Sequence, residues 1–493
     1  MRPLIVEVQT PHSPEQLVER LSGVAGVMLV PGASIDASRA RYSIVVAQPF
    51  LTFRSAGPRC VLQNFDCGDD RCGPASHIQF GNPWQVLEGL MARYELLDEI
   101  DLPFPLGGCF GYWGYELKNF VEPGLPRKAV NDLELPDCGV GFYDSLVAFD
   151  HALEKVWIVS TGLQPDGSRL EKRAQTQLEF WRTMLGGRPA KQDGSWHSTE
   201  AASQTARHNL QIDSNLTRSD FIASVIRAQQ YIRAGDIYQV NLSHRLQTDL
   251  ALPAWAFFER LCAVSPAPCA AFLDCGDFQI ASSSPESFLR MSGSQIQTRP
   301  IKGTRPRSAD PTRDAQLAYE LQSSPKEMAE LVMITDLLRN DLGRVCEFGS
   351  VQVPELMRLE RYPQVQHLVS TVEGCLRHGV THFGALAQCF PGGSVTGAPK
   401  IRAMEIIDEL EPLSRGAYTG AIGYLGFNRE SQLNIAIRTA LCWHNKIFFN
   451  VGAGIVADSN PAAEYEETLA KAGGFLRAME WPLPAPIMFG KTS

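Results

Sequence analysis

Residues 324–345, SPKEMAELVMITDLLRNDLGRV, carry their own start signal, and no other stretch constrains the fold as tightly. Ser324 can accept a bond from a first-turn N–H, and Pro325 has the φ that a first helical residue needs. Glu327 stands three residues after the cap, the spacing of a capping box. A second helix starts in the same manner, with Asn460 as cap and Pro461 opening PAAEYEETLAKAGGFLRAM. TRSDFIASVIRAQQYIRAGD (217–236) predicts a third, with Thr217 as its cap. Between these helices lie runs rich in β-branched and aromatic residues. IYQVNLSHRLQTDL (237–250) reads as a strand, FQIASSSPESFLRM and IQTRPIKGTRP contain strands joined by turns, and NIAIRTALCW and KIFFNVGAGIVA read as one strand each. From 217 to about 480, helices and strands alternate, the pattern of an α/β (α+β) unit.

The first 165 residues read differently. SRARYSIVVAQPFLTFRS (38–55) and the glycine–aromatic segment LGGCFGYWGYEL (106–117) are strand-like. CGVGFYDSLVAFDHALEKVWIVSTG (138–162) reads as two strands around a turn, and PWQVLEGLMARYELL (83–97) as a helix. RLEKRAQTQLEFWRTML (169–185) predicts one amphipathic helix. After it, RPAKQDGSWHSTEAASQTARHNLQIDSN (188–215) has few large apolar residues and reads as an exposed linker. These shifts divide the chain into an accessory part (1–165), a helix plus linker (166–216) and a catalytic part (217–480).

Size and charge exclude several classes. At about 150 residues per domain, 493 residues make roughly three, enough to bury a core without staples. A net charge of −9 disfavours a non-specific nucleic-acid binder or a polybasic membrane surface. No run approaches about 18 uninterrupted apolar residues, so no transmembrane helix is expected. MRPLIVEVQTPHSPEQL lacks the apolar core and cleavage site of a signal peptide. The 12 scattered cysteines then read as reduced thiols in a cytoplasmic protein. Cys67 and Cys72, the closest grouping, have no matching second pair that would argue for zinc.

Several constellations can carry chemistry. Glu327 and Glu330 lie three apart on one helix face, and Ile334, Leu337 and Leu338 fall within about 60° of it. Carboxylates on an apolar face call for a partner or a metal. Glu464 and Glu467 repeat the spacing at another helix start, where the dipole alone also favours acids. Two such couples brought together make an all-oxygen site suited to Mg²⁺. PGGSVTGAPKIRAME (391–405) places a glycine turn before a helix, able to cradle an anion or simply to turn tightly. It is no Walker A loop, because Ala398-Pro399-Lys400 stands where Lys-Ser/Thr is needed. NVGAGIVADSNP (450–461) lacks the full dinucleotide fingerprint and suits close backbone approach to some ligand. Lys302 stands among Arg299, Arg305 and Arg307, either a nucleophile tuned by cations or part of a solvated basic turn. His367 and Glu286 read alone as a strand histidine and a turn carboxylate.

Taken in order, AGDIYQVNLSHR, SSSPESF, PIKGTRPR, ELVMITDLLRNDLGRV, VQHLVSTVEG, FPGGSVTGAPKIRAMEIIDELEP, RGAYTGAIGY, NIAIRTA and GAGIVADSNPAAEYEETLAKA resemble the chorismate-utilising enzyme family. The match is dense over about 234–472, and RYSIVV and GGCFGYWGYEL resemble the accessory half more loosely. The resemblance implies two β-sheets flanked by helices. It also implies Mg²⁺ bound through Glu330 and Glu467, with Glu327 and Glu464 direct or through water. Chorismate would be held by Arg438, Tyr418 and backbone N–H groups near Ser394, Gly452 and Gly454, with Gln239, Thr304 and Lys471 as further contacts. Glu286 would be the general acid, and His367 would do electrostatic or proton-handling work. Where anthranilate-forming members carry PIAGT, this chain has PIKGT. Lys302 therefore resembles the nucleophile of the 4-amino-4-deoxychorismate-forming members, which serve 4-aminobenzoate and folate biosynthesis. Water-adding members carry Lys where this chain has Gln239, so ammonia is the implied nucleophile. It would come from a separate glutamine amidotransferase subunit. The alternatives are anthranilate formation and a non-catalytic subunit that binds tryptophan in its accessory half.

Overall fold

A computed structural model describes residues 2–32, 41–64, 75–97, 102–187, 211–362 and 364–479. The linker expected at 188–215 lies mostly outside these residues, as do Cys67 and Cys72. The described cysteines are free thiols.

Among the described residues the strand-forming runs assemble into two antiparallel sheets, each of 12 strands. One sheet opens with Leu4–Val8 and Lys155–Ser160, continues through Cys269–Asp274 and Gln279–Ser284, and closes with Thr439–Trp443, Lys446–Ile455, Gln239–Asp249 and Asp213–Ser214. The other begins at Ile301–Pro306 and Val365–Cys375. It passes through Ser287–Ser292, Glu430–Ile435, Ala421–Gly426 and Gly108–Trp113, and ends at Ala75–Phe80. Both sheets take strands from both sides of residues 166–216. Their inner faces share one core, in which Ile44, Val46, Phe110 and Tyr112 meet Phe278, Ile280, Ile422 and Tyr424. Burying this apolar surface is the main drive for the assembly, at about 25 cal/mol per Å². Helices cover the outer face of the first sheet. Phe257 and Phe258 of Ala254–Val264 and Phe475 and Leu476 of Pro461–Met479 pack on one part. Phe221 and Val225 of Arg218–Ala234 and Met404 and Ile407 of Lys400–Leu410 pack on Val240 and Leu242.

The caps behave as their chemistry requires, with one difference. Thr217 and Asp220 form the reciprocal capping box of Arg218–Ala234. Ser324 accepts the Glu327 N–H at 3.4 Å, but the Glu327 side chain does not reach back to the cap. It accepts instead from Arg305 Nη1 at 3.4 Å. The helix at 83 stops at Tyr94, short of residue 97.

Two segments differ from their linear reading for one reason: a strand-like run crosses from one sheet to the other. Residues 138–162 form three strands, not two, because Cys138–Tyr143 and Ser145–Asp150 lie in different sheets. Gln279–Ser284 crosses to Ser287–Ser292, and Glu430–Ile435 crosses to Thr439–Trp443, so NIAIRTALCW is two strands. The last two crossings run side by side, joined by Ile435 N to Glu286 O at 3.1 Å and Ser284 Oγ to Ile435 O at 2.6 Å.

Candidate active site

Glu286 and Arg438 stand at those neighbouring crossings. Glu286 is 6 % exposed, and burial pushes its carboxyl up to about 7. A hydrogen bond from Ser394 and the charge of Lys302 oppose that rise. A carboxyl near this value can hold and release a proton at neutral pH. Arg438 adopts φ +48°, a left-handed conformation in which side-chain residues are uncommon, and its guanidinium is lowered by burial. Among the described residues no carboxylate pairs with it. An arginine held in this state suits a bound carboxylate.

Lys302 lies inside Ile301–Pro306, a strand rather than a solvated turn. Its register against Val365–Cys375 slips between Lys302 and Thr304. Gly303 makes the slip possible. It has φ +71°, and a Cβ there would meet Leu321 Cδ1 at 2.7 Å and Glu327 Oε2 at 3.0 Å. Lys302 Nζ comes within 3.9 Å of Glu330. It also lies 3.8 Å from the point where Gly454 would carry a Cβ, and that same Cβ would collide with the Gln239 amide nitrogen. Gln239, Lys302 and Gly454 therefore share one wall, possible only because residue 454 has no side chain. Gln239 is 3 % exposed and its Oε1 is buried without a partner. Thr304 Oγ1 meets His367 Nδ1 at 2.9 Å, and Gly303 O lies 3.4 Å from the same nitrogen. Burial first, then the Arg438 charge, lowers the His367 imidazole to about 4. It is neutral at physiological pH, so its part is hydrogen bonding and not a fixed positive charge.

That wall continues along the glycine strand, Lys446–Ile455, which carries Gly454. Thr439–Trp443 pairs with Lys446–Ile455 only as far as Ala440 against Phe449, which leaves one edge of 450–455 without a strand partner. A Cβ at Gly452 would meet the Tyr418 hydroxyl at 2.8 Å. Tyr418 is 7 % exposed, and burial raises its hydroxyl to about 12. Lys471 Nζ donates to Gly452 O at 2.7 Å and pairs with Glu467 at 2.8 Å. It holds the strand and a carboxylate and presents no free charge to the cleft.

Glu327, Glu330 and Glu467, one of them from the second acidic couple, share one electrostatic field. Glu330 is raised by burial, and Glu327 and Glu467 add to the rise while Lys302 and Lys326 oppose it. For Glu467, burial raises the group, but Lys471, Lys326 and Lys302 outweigh it and leave it lowered. Glu464 is 6 % exposed, and among the described residues nothing donates to its carboxylate. Among the described residues no three His, Cys, Asp or Glu side chains are gathered within ligating reach. The carboxylates lean instead on Lys302, Arg305 and Lys471. An oxygen-only donor set with a buried, unmatched carboxylate fits a small hard dication.

The glycine turn at 391–397 is no open anion cradle. Gly393 is needed because a Cβ would strike Leu337 Cδ2 at 2.6 Å, and a Cβ at Gly392 or Gly397 would collide with Ile435 or Gln239 O. A 3-10 turn, Gly393–Val395, and a two-residue strand, Gly397–Ala398, intervene before Lys400–Leu410 begins. The turn delivers Ser394 to Glu286. Two buried ion pairs that spacing did not single out hold these loops. Lys400 Nζ reaches Asp341 at 2.6 Å and the carbonyls of Cys389 and Pro391. Arg415 clasps Glu411 at 2.8 and 2.7 Å and bonds Asn241 O, Val395 O and Thr419. Their only linear trace was the four-residue spacing of Glu411 and Arg415.

The description "chorismate binding enzyme" fits residues 42–477. The anthranilate synthase component 1 of Acetivibrio thermocellus is 37 % identical over 483 residues, 97 % of this chain and 95 % of that protein. The aminodeoxychorismate synthase component 1 of Escherichia coli (strain K12) is 38 % identical over 465 residues, covering 94 % and 95 %. In three dimensions, the crystal structure of anthranilate synthase component I from Streptococcus pneumoniae TIGR4 superposes with a TM-score of 0.75. It is 29 % identical and covers 90 % of this chain and 94 % of that one.

Proposed function

The chain belongs to the chorismate binding enzyme family, and from that membership we propose that it aminates chorismate at C4 to give 4-amino-4-deoxychorismate. The observation that carries this reading is Lys302 Nζ standing beside Gly454, Gln239 and Glu330, within the field of the Glu286 carboxyl.

Arg438 and the Tyr418 hydroxyl hold one carboxylate of the substrate, with the open edge of 450–455 alongside. Lys302 Nζ attacks C2 with its lone pair; the ring double bond shifts and the C4–O bond breaks. Glu286 gives its proton to the departing hydroxyl, which leaves as water. Ammonia then forms a bond to C4, the double bond returns, the C2–N bond to Lys302 breaks with its electron pair restored to the lysine, and the new C4 ammonium returns a proton to the Glu286 carboxylate. Gln239 at the wall offers an amide where activation of water would call for a base. Glu330 and Glu467, with Glu327 and Glu464, are the residues to hold Mg²⁺, which when bound neutralises and orients the ring carboxylate. Glutamine-derived ammonia from an amidotransferase partner completes the reading, and 4-aminobenzoate and folate synthesis is its place in metabolism.

The second reading, anthranilate formation, is favoured by the equal similarity to relatives of both names. Chorismate, Mg²⁺ and ammonium incubated with the purified chain separate the two. The expected product is 4-amino-4-deoxychorismate, which yields 4-aminobenzoate only after a lyase is added. Fluorescent anthranilate as the main product overturns the C4 reading. Removing Mg²⁺ with a chelator is expected to stop chorismate consumption, and turnover that persists excludes the metal.

A further inference from the structure

We propose that Glu116, in the accessory half, is a positioning residue that sets the Tyr418 hydroxyl against the glycine strand. The inference rests on the reading above in one respect, that Tyr418 meets the substrate carboxylate.

Glu116 lies in the glycine–aromatic segment, some 300 residues from the loop it holds. Both its oxygens are used: one accepts the Arg415 N–H at 2.9 Å, the other the Gly416 N–H at 3.0 Å. The backbone beside it repeats the grip, with Tyr115 N donating to Gly416 O at 2.8 Å. Gly114 has no room for a side chain, since a Cβ would meet Gly416 O at 2.9 Å and collide with Asp137 O. The held turn leads straight to the site, because Tyr418 N donates to Arg415 O at 3.1 Å and the Tyr418 hydroxyl faces Gly452. Gly416 takes φ +59°, so the turn needs this residue to bend.

The division of labour is clear. The Arg415 guanidinium is fixed by Glu411, whereas its backbone N–H and that of Gly416 are fixed by Glu116. On its far side the loop, from Ser414 to Tyr418, lines a half-open pocket that also borders Tyr112, Glu116 and Phe278. The directed bonds from Glu116 therefore add to the packing of Arg415 over the Tyr115 and Tyr418 rings. Burial, with Asp137 adding to it, pushes the Glu116 carboxyl up to about 7. Burying a carboxyl here is unfavourable unless its oxygens are bonded, and an apolar residue would suit this burial better.

Glu116→Gln keeps the shape and loses one acceptor. Chorismate consumption is expected to show KM raised about tenfold and kcat within about threefold, and amide hydrogen exchange at 415–418 is expected to speed up. Tyr418→Phe should raise KM similarly, and adding Glu116→Gln to it should change KM less than twofold, the signature of one residue acting through the other. An unchanged KM in Glu116→Gln, or its full effect persisting in the Tyr418→Phe background, overturns the proposal. If Tyr418→Phe alone leaves KM unaltered, the substrate reading of Tyr418 fails instead. Exchange at 415–418 then decides on Glu116, and unaltered protection overturns it. Should Glu116→Gln not fold, Glu116→Asp retains the charge one methylene short, and a wild-type KM in that variant overturns the proposal.

Discussion

The chain crosses between its sheets at Asp144 and again at Glu286 and Arg438, and these crossings are finished differently. In the accessory half, Asp144 is fully buried, and Arg173 grips it with two bonds of 2.7 and 3.0 Å. Thr161 closes the backbone there, donating N–H at 2.8 Å and Oγ1–H at 2.9 Å to Asp144 O. The charge at this crossing is matched. In the catalytic half, the paired crossings carry Glu286, raised to about 7, and Arg438, lowered by burial and without a carboxylate among the described residues. Removing charges from water is unfavourable unless a partner replaces the water. The first crossing contains its partner; the other two leave that part to a ligand. One topological device thus serves as a joint in one half and as a binding wall in the other.

Arg173→Met tests the closed joint and should have the largest effect on folding. It leaves Asp144 buried and unpaired, which is expected to destabilise by about 3–5 kcal/mol in chemical denaturation. KM for chorismate in the folded fraction should stay within about twofold. Lys302→Ala attacks the open wall through chemistry. C4 amination is expected to fall at least about 100-fold, roughly 3 kcal/mol of barrier, with chorismate binding by calorimetry retained and some anthranilate formed. Full amination in this variant rules out a covalent role. Arg438→Met is the counterpart of Arg173→Met at an unmatched crossing. KM should rise about tenfold or more, the loss of a charge-assisted bond, while Tm stays level or rises. A drop in Tm like that of Arg173→Met would erase the distinction between the crossings.

The smallest effect is a pH dependence. The Glu286 carboxyl binds its proton more tightly folded than unfolded, so between about 4.5 and about 7 the folded chain holds more protons. Its contribution to stability is present below that window and lost as pH rises through it. Glu286→Gln should therefore have a higher Tm than wild type at pH 8 and an equal one at pH 4. As the general acid, Glu286 should also make wild-type kcat fall as pH rises through about 7. A Tm difference independent of pH would remove the titration.

Much of this was legible in the linear chain. The starts at Ser324, Thr217 and Asn460 were, because a cap is a local event between residues two or three apart. Glu286, Lys302, Gln239, Gly454, Glu330 and Tyr418 were nominated by motif resemblance, and the structure sets Lys302 Nζ beside Glu330, Gly454 and Gln239. The crossing at Arg438 did not, since NIAIRTALCW has an unbroken β composition and only the second sheet gives its first half a separate neighbour. Nor did the bulge at Gly303, whose φ is set by Leu321 and Glu327 pressing on it.

By itself the amino-acid order determined the helix caps, the three-residue spacing of the acidic couples and the lysine of PIKGT, because short spacings and residue chemistry decide these. Tertiary structure alone decided which charges are answered and which are left open. That choice depends on partners far apart in the chain, Glu116 on Arg415 and Asp144 on Arg173 among them, and on burial, which no linear spacing encodes.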